Sequence, residues 1–235
     1  GYIPVEKCYS YDPSADGMTA EEQKRILGVQ ANLWTEYIAS DDHLEYMLLP
    51  RMTAISEVQW CNADNKDWER FRSSAEHFAA IYDRLGFNYA THIFRISGSV
   101  TIDGERDVVL MNFDTVGDAP IRYTLDGSEP TEDSPLYERP IEIRESCIIK
   151  GKAFRENIGN YVLTKEFHAH KAMGKKITLN TSPSANYAYD APSNLVDGIR
   201  GHVNYRSGDW AGWYGTPFEV TIDMDNESYS SVTLG

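Results

Sequence analysis

Residues 28–37 read GVQANLWTEY, and apolar and polar side chains alternate along them. Val29 and Leu33 fall on one face of an extended chain, whereas Trp34 and Glu36 fall on the other, as the two-residue period of a β-strand requires. A half-buried strand usually turns its polar face to water, but an indole and a carboxylate two positions apart also suit a wet pocket. Two interpretations stay open: a pocket wall, or a core strand whose Glu36 pairs with an arginine.

The pocket interpretation fits a parallel (β/α)8 barrel. In such a barrel the outward strand face packs on helices, and the active site forms at the C-terminal ends of the strands. In that setting Trp34 would offer an apolar wall to the face of a sugar ring. Glu36 would accept hydrogen bonds from sugar hydroxyls. The alternation permits this arrangement but does not require it.

Two further motifs flank this stretch: CYSYDP at residues 8–13 and EYMLLPRMTAISEVQW at residues 45–60. Together with GVQANLWTEYI at 28–38, their order and spacing resemble the end of the catalytic barrel of glycoside hydrolase family 20, the β-N-acetylhexosaminidases. The resemblance implies that Trp34 lines the pocket for a terminal N-acetylhexosamine. It also implies that Glu36 binds hydroxyls on the far side of the sugar ring.

The same resemblance implies where the chemistry takes place. In this family an Asp-Glu pair on an earlier barrel strand orients the substrate acetamide and supplies the general acid. The acetamide oxygen is the nucleophile of a retaining, substrate-assisted reaction. We expect that strand to precede residue 1, so no residue of this chain receives a catalytic role. The chain alone is expected to be inactive as a glycosidase.

The first 90 residues otherwise have helical patterns. The sequence TAEE at residues 19–22 is a capping box, which predicts a short helix. Apolar residues spaced three and four apart over residues 67–85 predict a single helix that ends at Gly86. Arg51 and Glu57 are predicted to form an internal ion pair.

The composition changes near residue 95. Short β-branched runs at 100–102, 108–110, 121–125, 141–143 and 147–151 alternate with turn residues, which is typical of a β-sandwich. This stretch, with YTLDGSEPT at 123–131, resembles the small sandwich domain that follows the barrel in chitobiases and hexosaminidases. We expect this domain to support the barrel and to take no part in catalysis.

A third pattern begins near residue 173. The sequences NLVDG (194–198), SGDWAGW (207–213) and FEVTIDM (218–224) resemble the first half of a discoidin (coagulation factor 5/8 type C) module. Such modules are jelly rolls that often bind carbohydrate, and some hold a structural calcium near the Val-Asp-Gly turn. The resemblance makes Asp197 a calcium candidate, although it is the only carboxylate in its motif. Trp210 and Trp213 could stack on sugars or belong to the core.

These patterns predict a multidomain protein. Residues 1–94 would be the C-terminal portion of a (β/α)8 barrel, residues 95–172 a small antiparallel β-sandwich, and residues 173–235 a partial β jelly roll. The catalytic centre is expected to lie outside the chain. Apart from the calcium candidate, no metal or cofactor is expected.

Composition excludes several classes of function. The 235 residues carry a formal net charge of −14, which disfavours nucleic acid and anionic membranes as partners. Three cysteines lie far apart without a C-x-x-C motif, so neither a disulfide framework nor a zinc site is indicated. No apolar run reaches the length of a membrane span. The family resemblance implies a secreted, periplasmic or cell-surface location.

Two functions from different classes follow. The first is an enzyme fragment, the C-terminal part of an exo-acting β-N-acetylhexosaminidase whose partners are N-acetylhexosamine-containing glycans. The second is a non-catalytic glycan-binding or adhesion module built from the two β units. A structural spacer is a third idea. An Asp-Glu pair at the end of a strand upstream of residue 1 would favour the enzyme.

Overall fold

The computed structural model describes residues 3–14, 17–156, 158, 161–203 and 208–233. Ser207, the first residue of the SGDWAGW motif, lies outside the described residues. The described chain divides into two compact units. The first holds the residues up to Arg95 together with Val116–Ala119 and Ile158, and the second holds the β-strands.

The described part of the first unit is helical. Its α-helices are α1 (Val5–Tyr9), α2 (Ala20–Gln23), α3 (Asp41–Leu48), α4 (Arg51–Trp60), α5 (Trp68–Ser73) and α6 (Ala75–Leu85). The capping box predicted at the start of α2 is confirmed. The Thr19 hydroxyl accepts a hydrogen bond from the Glu22 amide at 3.3 Å, and the Glu22 carboxylate accepts one from the Thr19 amide at 2.8 Å.

The single helix predicted over residues 67–85 is wrong, because the chain breaks at Ser74 into α5 and α6. The hydroxyls of Ser73 and Ser74 both donate to the carbonyl oxygen of Arg70, at 2.8 and 3.0 Å. Such side-chain bonds compete with the regular helical pattern and bend or end a helix. The predicted stop is confirmed, since Gly86 caps α6 in the left-handed conformation with a φ of 74°.

Two small hydrophobic clusters hold the first unit together. One joins α1, α4 and α5 through Val5, Tyr9, Ala54 and Phe71, all of them buried. The other forms around α6 and consists of Ala75, Ala79, Tyr82, Tyr89, Phe94 and Val116. The apolar residues of 67–85 therefore serve as core on both sides of the break at Ser74.

The second unit consists of antiparallel sheets. Its strands are β1 (Ser97–Asp103), β2 (Val108–Asp114), β3 (Ile121–Thr124), β4 (Ile141–Ile143), β5 (Cys147–Ala153), β6 (Val162–Phe167), β7 (Ile177–Leu179) and β8 (Val220–Ile222). They pair in the orders β1-β2-β4, β3-β5-β6 and β7-β8. The five β-branched runs found in the sequence fall on these strands, except that β3 ends at Thr124, one residue before the run 121–125 does, so the prediction of antiparallel β structure is confirmed.

The two three-stranded sheets pack face to face where glycines leave room. A Cβ at Gly151 of β5 would lie 2.5 Å from the Phe113 ring of β2. A Cβ at Gly98 of β1 would lie 2.5 Å from Leu163 of β6. Real Cβ atoms do not approach so closely, so these two glycines permit the spacing between the sheets. The assignment of this sandwich to the chitobiase type stays a prediction.

Residues 173–203 and 208–233 contain one antiparallel strand pair, β7 with β8, joined by irregular segments and 3-10 turns. Lys175, just before β7, is buried and contacts three carboxylates: Asp107 at 2.7 Å, Asp225 at 3.0 Å and Glu227 at 3.4 Å. This ion cluster attaches the β7–β8 segment to the β1–β2 turn. The jelly roll is not seen in these residues and stays a prediction.

Candidate functional site

The stretch around Trp34 is irregular, and the structure assigns no strand to it. Its chain turns at residues 35–38, where the Ile38 amide donates to the Thr35 carbonyl oxygen at 3.0 Å. One tertiary hydrogen bond fixes its beginning, from the Gln59 side chain of α4 to the Val29 carbonyl oxygen at 2.9 Å. A strand requires a neighbour that completes its hydrogen-bond ladder, and no described residue pairs with this stretch. The strand and the barrel portion therefore stay predictions.

Trp34 and Glu36 both face solvent. The Trp34 side chain is 74% exposed, and Glu36 is exposed within the turn. Among the residues that the structure describes, no hydrogen bond or ion pair engages the Glu36 carboxylate. The alternative in which Glu36 pairs with an arginine is thus not observed. An indole face and a carboxylate two residues apart are open to a ligand, as sugar binding requires.

Other large apolar side chains near this stretch are also exposed. Leu27 is fully exposed, Tyr37 is 92% exposed, and Trp60 at the end of α4 is 90% exposed. Apolar groups of this size usually cluster in the core or at an interface. Their exposure coincides with the segment to which the sequence motifs assign substrate binding.

The structure brings two of the flanking motifs into contact. Tyr9 of CYSYDP donates from its hydroxyl to the Glu57 carboxylate at 3.0 Å. The same Glu57 oxygen accepts from the Arg70 guanidinium at 3.0 Å. The sequence patterns predicted no role for Tyr9 or Arg70, although the position of Tyr9 inside the CYSYDP motif was a signal for one. These contacts are structural and leave no free acid or base.

The ion pair predicted between Arg51 and Glu57 is wrong. The Arg51 guanidinium donates to three backbone carbonyl oxygens, those of Ile3 at 2.7 Å, Tyr46 at 3.1 Å and Met47 at 2.9 Å. Arg51 begins α4 immediately after Pro50, so its side chain reaches back to the unpaired carbonyls at the end of α3. Glu57, which lies further along α4, pairs with Arg70 instead.

The calcium candidate Asp197 is buried, with 9% of its surface exposed. Its carboxylate accepts a hydrogen bond from the Ile199 amide at 2.8 Å, as in an Asx turn. Burial raises the pKa of Asp197 to about 6, against the lowering effects of that hydrogen bond and of the nearby Lys165 ammonium.

The donors around Asp197 do not form a calcium shell. Calcium takes six to eight oxygen ligands, typically several carboxylates. The buried side-chain amide of Asn194 has no hydrogen-bond partner in the described structure, so it is one available oxygen donor. However, the described residues contain no group of three or more His, Cys, Asp or Glu side chains that could hold a metal ion. The described residues therefore do not fit the calcium that the resemblance implied.

Trp210 and Trp213 are engaged in packing. The Trp213 indole donates to the Thr181 carbonyl oxygen at 3.1 Å, and its ring lies edge-on to Phe218 with centroids 4.6 Å apart. The Trp210 ring contacts Gly201 so closely that a Cβ there would lie 2.3 Å from it. Both side chains are half-buried, which favours the core interpretation over sugar stacking.

Two further features bear on partners and chemistry. Cys8, Cys61 and Cys147 are unpaired, and burial raises the pKa of the Cys8 and Cys147 thiols. A thiol with a raised pKa is a poor nucleophile at neutral pH.

Among the described residues, no helix combines the length and apolar character needed to cross a membrane.

Comparison with known proteins identifies two segments. The sequence model of the glycosyl hydrolase family 20 catalytic domain matches residues 1–63, which include Trp34 and Glu36. A second model, described as Fn3 associated, matches residues 112–167 in the β-sandwich. This second match differs from the chitobiase-type domain that the sequence suggested.

Three curated relatives extend the first match. The "Beta-hexosaminidase" of Porphyromonas gingivalis is 31% identical over 151 residues, which are 64% of this chain and 19% of that protein. The "Beta-N-acetylhexosaminidase" of Cellulomonas fimi is 34% identical over 91 residues, 38% of this chain and 18% of that protein. The "Beta-hexosaminidase" of Akkermansia muciniphila is 40% identical over 86 residues, 36% of this chain and 17% of that protein.

The chain spans no more than 19% of the length of each of these relatives. The similarity nevertheless includes the motifs on which the candidate site depends, since the family model runs from residue 1 to residue 63. These matches support a segment of a family 20 glycosyl hydrolase at the beginning of this chain.

Proposed function

We propose that this chain is the C-terminal part of an exo-acting β-N-acetylhexosaminidase. The enzyme would release terminal N-acetylhexosamine from glycans with retention of configuration. The observation that carries the proposal is the match of residues 1–63 to the family 20 catalytic domain, with Trp34 and Glu36 inside the matched segment. The names of the three hexosaminidase relatives support it.

In this proposal the chain binds substrate and does not transform it. The Trp34 indole packs against the apolar face of the terminal sugar ring, and the Glu36 carboxylate accepts hydrogen bonds from ring hydroxyls. The substrate acetamide is the nucleophile of the substrate-assisted reaction, and its orienting Asp and general acid Glu belong to sequence outside this chain. The exposure of both side chains supports the proposal, because a ligand can reach them.

The test uses the longer protein that contains this chain. Glu36→Gln keeps the shape of the side chain and removes its charge, so kcat/KM for a chromogenic N-acetylglucosaminide should fall about tenfold or more. Glu21→Gln is the matched control. Glu21 is exposed, and within the described residues its ion pair is with Lys24, three residues on, so its replacement should leave kcat/KM unchanged. An unchanged kcat/KM for Glu36→Gln contradicts the assigned role.

The chain on its own should show no turnover of the same substrate. Sustained, enzyme-concentration-dependent release of the chromophore from the purified chain would mean that a catalytic acid lies within these residues. We also propose that the parent protein is secreted, periplasmic or cell-surface, where glycans are accessible. Fractionation of the native host with an antibody to this chain tests that location.

A second candidate is a non-catalytic glycan-binding module. It is favoured by the fact that residues 64–235 lie outside the catalytic-domain match, while an Fn3-associated model matches residues 112–167. In this case the isolated chain would bind N-acetylhexosamine glycans and the longer protein would not hydrolyse them. Activity of the longer protein decides in favour of the enzyme.

A further inference from the structure

An open cleft with a volume of about 650 Å³ lies in the second unit beside β4. Its polar lining comes from Arg106, Tyr123, Arg139 and Glu142. These residues belong to the β1–β2 turn, to β3, to the connection that leads into β4, and to β4 itself. The cleft volume lies within the range of about 300–1,000 Å³ that is typical of small-molecule sites. None of the sequence motifs drew attention to it.

The charges at this cleft are unevenly paired. The Glu142 carboxylate contacts the Arg106 guanidinium on one side and the Arg144 guanidinium, at 3.0 Å, on the other. Arg106, and secondly Arg144, hold the pKa of Glu142 below its usual value. Glu142 is therefore fully engaged. Arg139 is exposed, and no carboxylate in the described residues pairs with it.

The Arg139 guanidinium lines the cleft without such a partner. A guanidinium presents a planar set of donors that matches the oxygens of carboxylate and sulfate groups. The cleft therefore offers a site for one anionic group at Arg139, while Arg106 is held by Glu142.

The remaining lining is apolar. Leu110 and Tyr123 are half-buried, and Ile141 is buried at the base of the cleft. The Tyr123 ring adds a flat surface with a hydroxyl at its edge. An apolar aromatic face next to a few polar groups is the combination that binds the C–H face of a sugar ring while its substituents find hydrogen bonds.

We propose that this cleft binds an acidic saccharide, a pyranose that carries a sulfate or carboxylate group. Arg139 pairs with the anionic group, and Tyr123 packs against the ring. The choice of a saccharide rests on the proposed function, whereas the anion site rests on the charges of the cleft alone. The site lies in the sandwich and is separate from Trp34 and Glu36 in sequence.

The test is a ligand titration of the whole chain, in which ¹H–¹⁵N NMR spectra detect binding. The probes are N-acetylglucosamine 6-sulfate, N-acetylneuraminic acid, neutral N-acetylglucosamine and inorganic sulfate. At least one acidic sugar should bind and shift the amide signals of Leu110, Tyr123 and Ile141. Raising the salt concentration should weaken that binding, since the pair is solvent-accessible. Which acidic sugar binds identifies the anionic group.

Variants assign the contact. Arg139→Gln should raise the Kd of the acidic sugar about tenfold, the effect of losing one charge-assisted hydrogen bond. Arg25→Gln removes the same charge from an exposed site in the first unit and should change Kd by less than about twofold. Arg139 is exposed, so its replacement should leave the NMR spectrum of the free protein otherwise unchanged.

Three outcomes would overturn the proposal. Failure of both acidic sugars to bind removes the site. If neutral N-acetylglucosamine binds as tightly as the acidic sugars, Arg139 does not recognise an anionic group. If inorganic sulfate binds as tightly as the acidic sugars, the cleft does not recognise the saccharide ring. None of these measurements requires hydrolysis. A failure here and a failure of the hexosaminidase proposal are therefore told apart.

Discussion

The Tyr9 hydroxyl donates a hydrogen bond of 3.0 Å to Glu57 and accepts one of 2.7 Å from the backbone amide of Asp67. Tyr9 ends α1, Glu57 lies in α4, and Asp67 caps α5. One buried hydroxyl therefore connects three helices of the first unit. Burial is the main reason that the pKa of Tyr9 is raised, so the hydroxyl keeps its proton and its donor role over the physiological range.

Tyr9→Phe should lower the stability of the first unit. The change leaves the Asp67 amide without its acceptor, and an unsatisfied buried group costs about 1–3 kcal/mol. Urea unfolding followed by NMR signals of residues in this unit measures the loss. Tyr11→Phe is the control, because Tyr11 is 50% exposed and its hydroxyl has no hydrogen-bond partner in the described structure. Equal stability of the two variants would contradict the structural role of the Tyr9 hydroxyl.

Gly151→Ala should destabilise the sandwich. The new Cβ would lie 2.5 Å from the Phe113 ring, so the two sheets must separate or the ring must shift, at a cost of about 1–3 kcal/mol. Gly104→Ala is the matched control, since its Cβ would have no neighbour nearer than 3.8 Å. Thermal unfolding compares them. Adding Phe113→Leu to the Gly151→Ala variant should recover part of the loss, and no recovery would place the strain elsewhere.

Asp197→Asn should change how stability depends on pH. Folding raises the pKa of this carboxyl from about 4 to about 6, so the native state binds its proton more tightly than the unfolded chain does. The ionised Asp197 carboxylate therefore destabilises the fold. This effect increases as the pH rises from about 4 to about 6 and is complete above about pH 6. The neutral variant lacks that effect, while its side-chain oxygen can still accept from the Ile199 amide.

The Asp197→Asn variant should therefore be more stable than the unsubstituted protein at pH 7, by about 1–3 kcal/mol, and the difference should vanish near pH 4. Denaturant unfolding at pH 4, 5, 6 and 7 measures it. Taking the difference between the two proteins removes the contribution of other carboxyls, such as Asp225 and Glu142, whose pKa values are lowered and whose effect has the opposite sign. A difference that is constant from pH 4 to pH 7 would contradict the buried, proton-binding state of Asp197.

Lys175→Met should loosen the β7–β8 segment. Without the ammonium, the carboxylates of Asp107, Asp225 and Glu227 lose their shared partner and repel one another. Amide hydrogen exchange in β7 and β8 should accelerate. Lys176→Met carries the same change in charge at the neighbouring exposed position and should leave exchange unaffected. Similar exchange rates in the two variants would show that the ion cluster does not hold this segment.

Local sequence patterns predict the structure where local interactions decide it. The Thr19–Glu22 capping box forms because its partners are three residues apart. The β-branched runs form strands because each fits a pleated surface and is bounded by turn residues. The helix over residues 67–85 was wrong at Ser74, because the apolar spacing continues through a point where serine hydroxyls satisfy the Arg70 carbonyl.

The sequence did not predict which residues far apart along the chain contact one another. Arg51 and Glu57 are near each other along the chain, yet Glu57 pairs with Arg70 and Tyr9, while Arg51 pairs with backbone oxygens. The motif that contains Trp34 and Glu36 identified a family segment, but the strand expected there requires neighbouring strands. Hydrogen-bond ladders depend on residues far away in sequence, which periodicity cannot identify.

The sequence by itself determined the acidic character of the chain, its helical first part, its antiparallel strands and its resemblance to family 20 hydrolases. These follow from composition, from short-range periodicity and from contiguous motifs. Only the tertiary structure decided that Asp197 is buried, that one lysine holds three carboxylates, and that Arg139 and Tyr123 line one cleft. Each of these depends on segments that lie close only after the chain has folded, because packing and charge pairing act through space and not along the sequence.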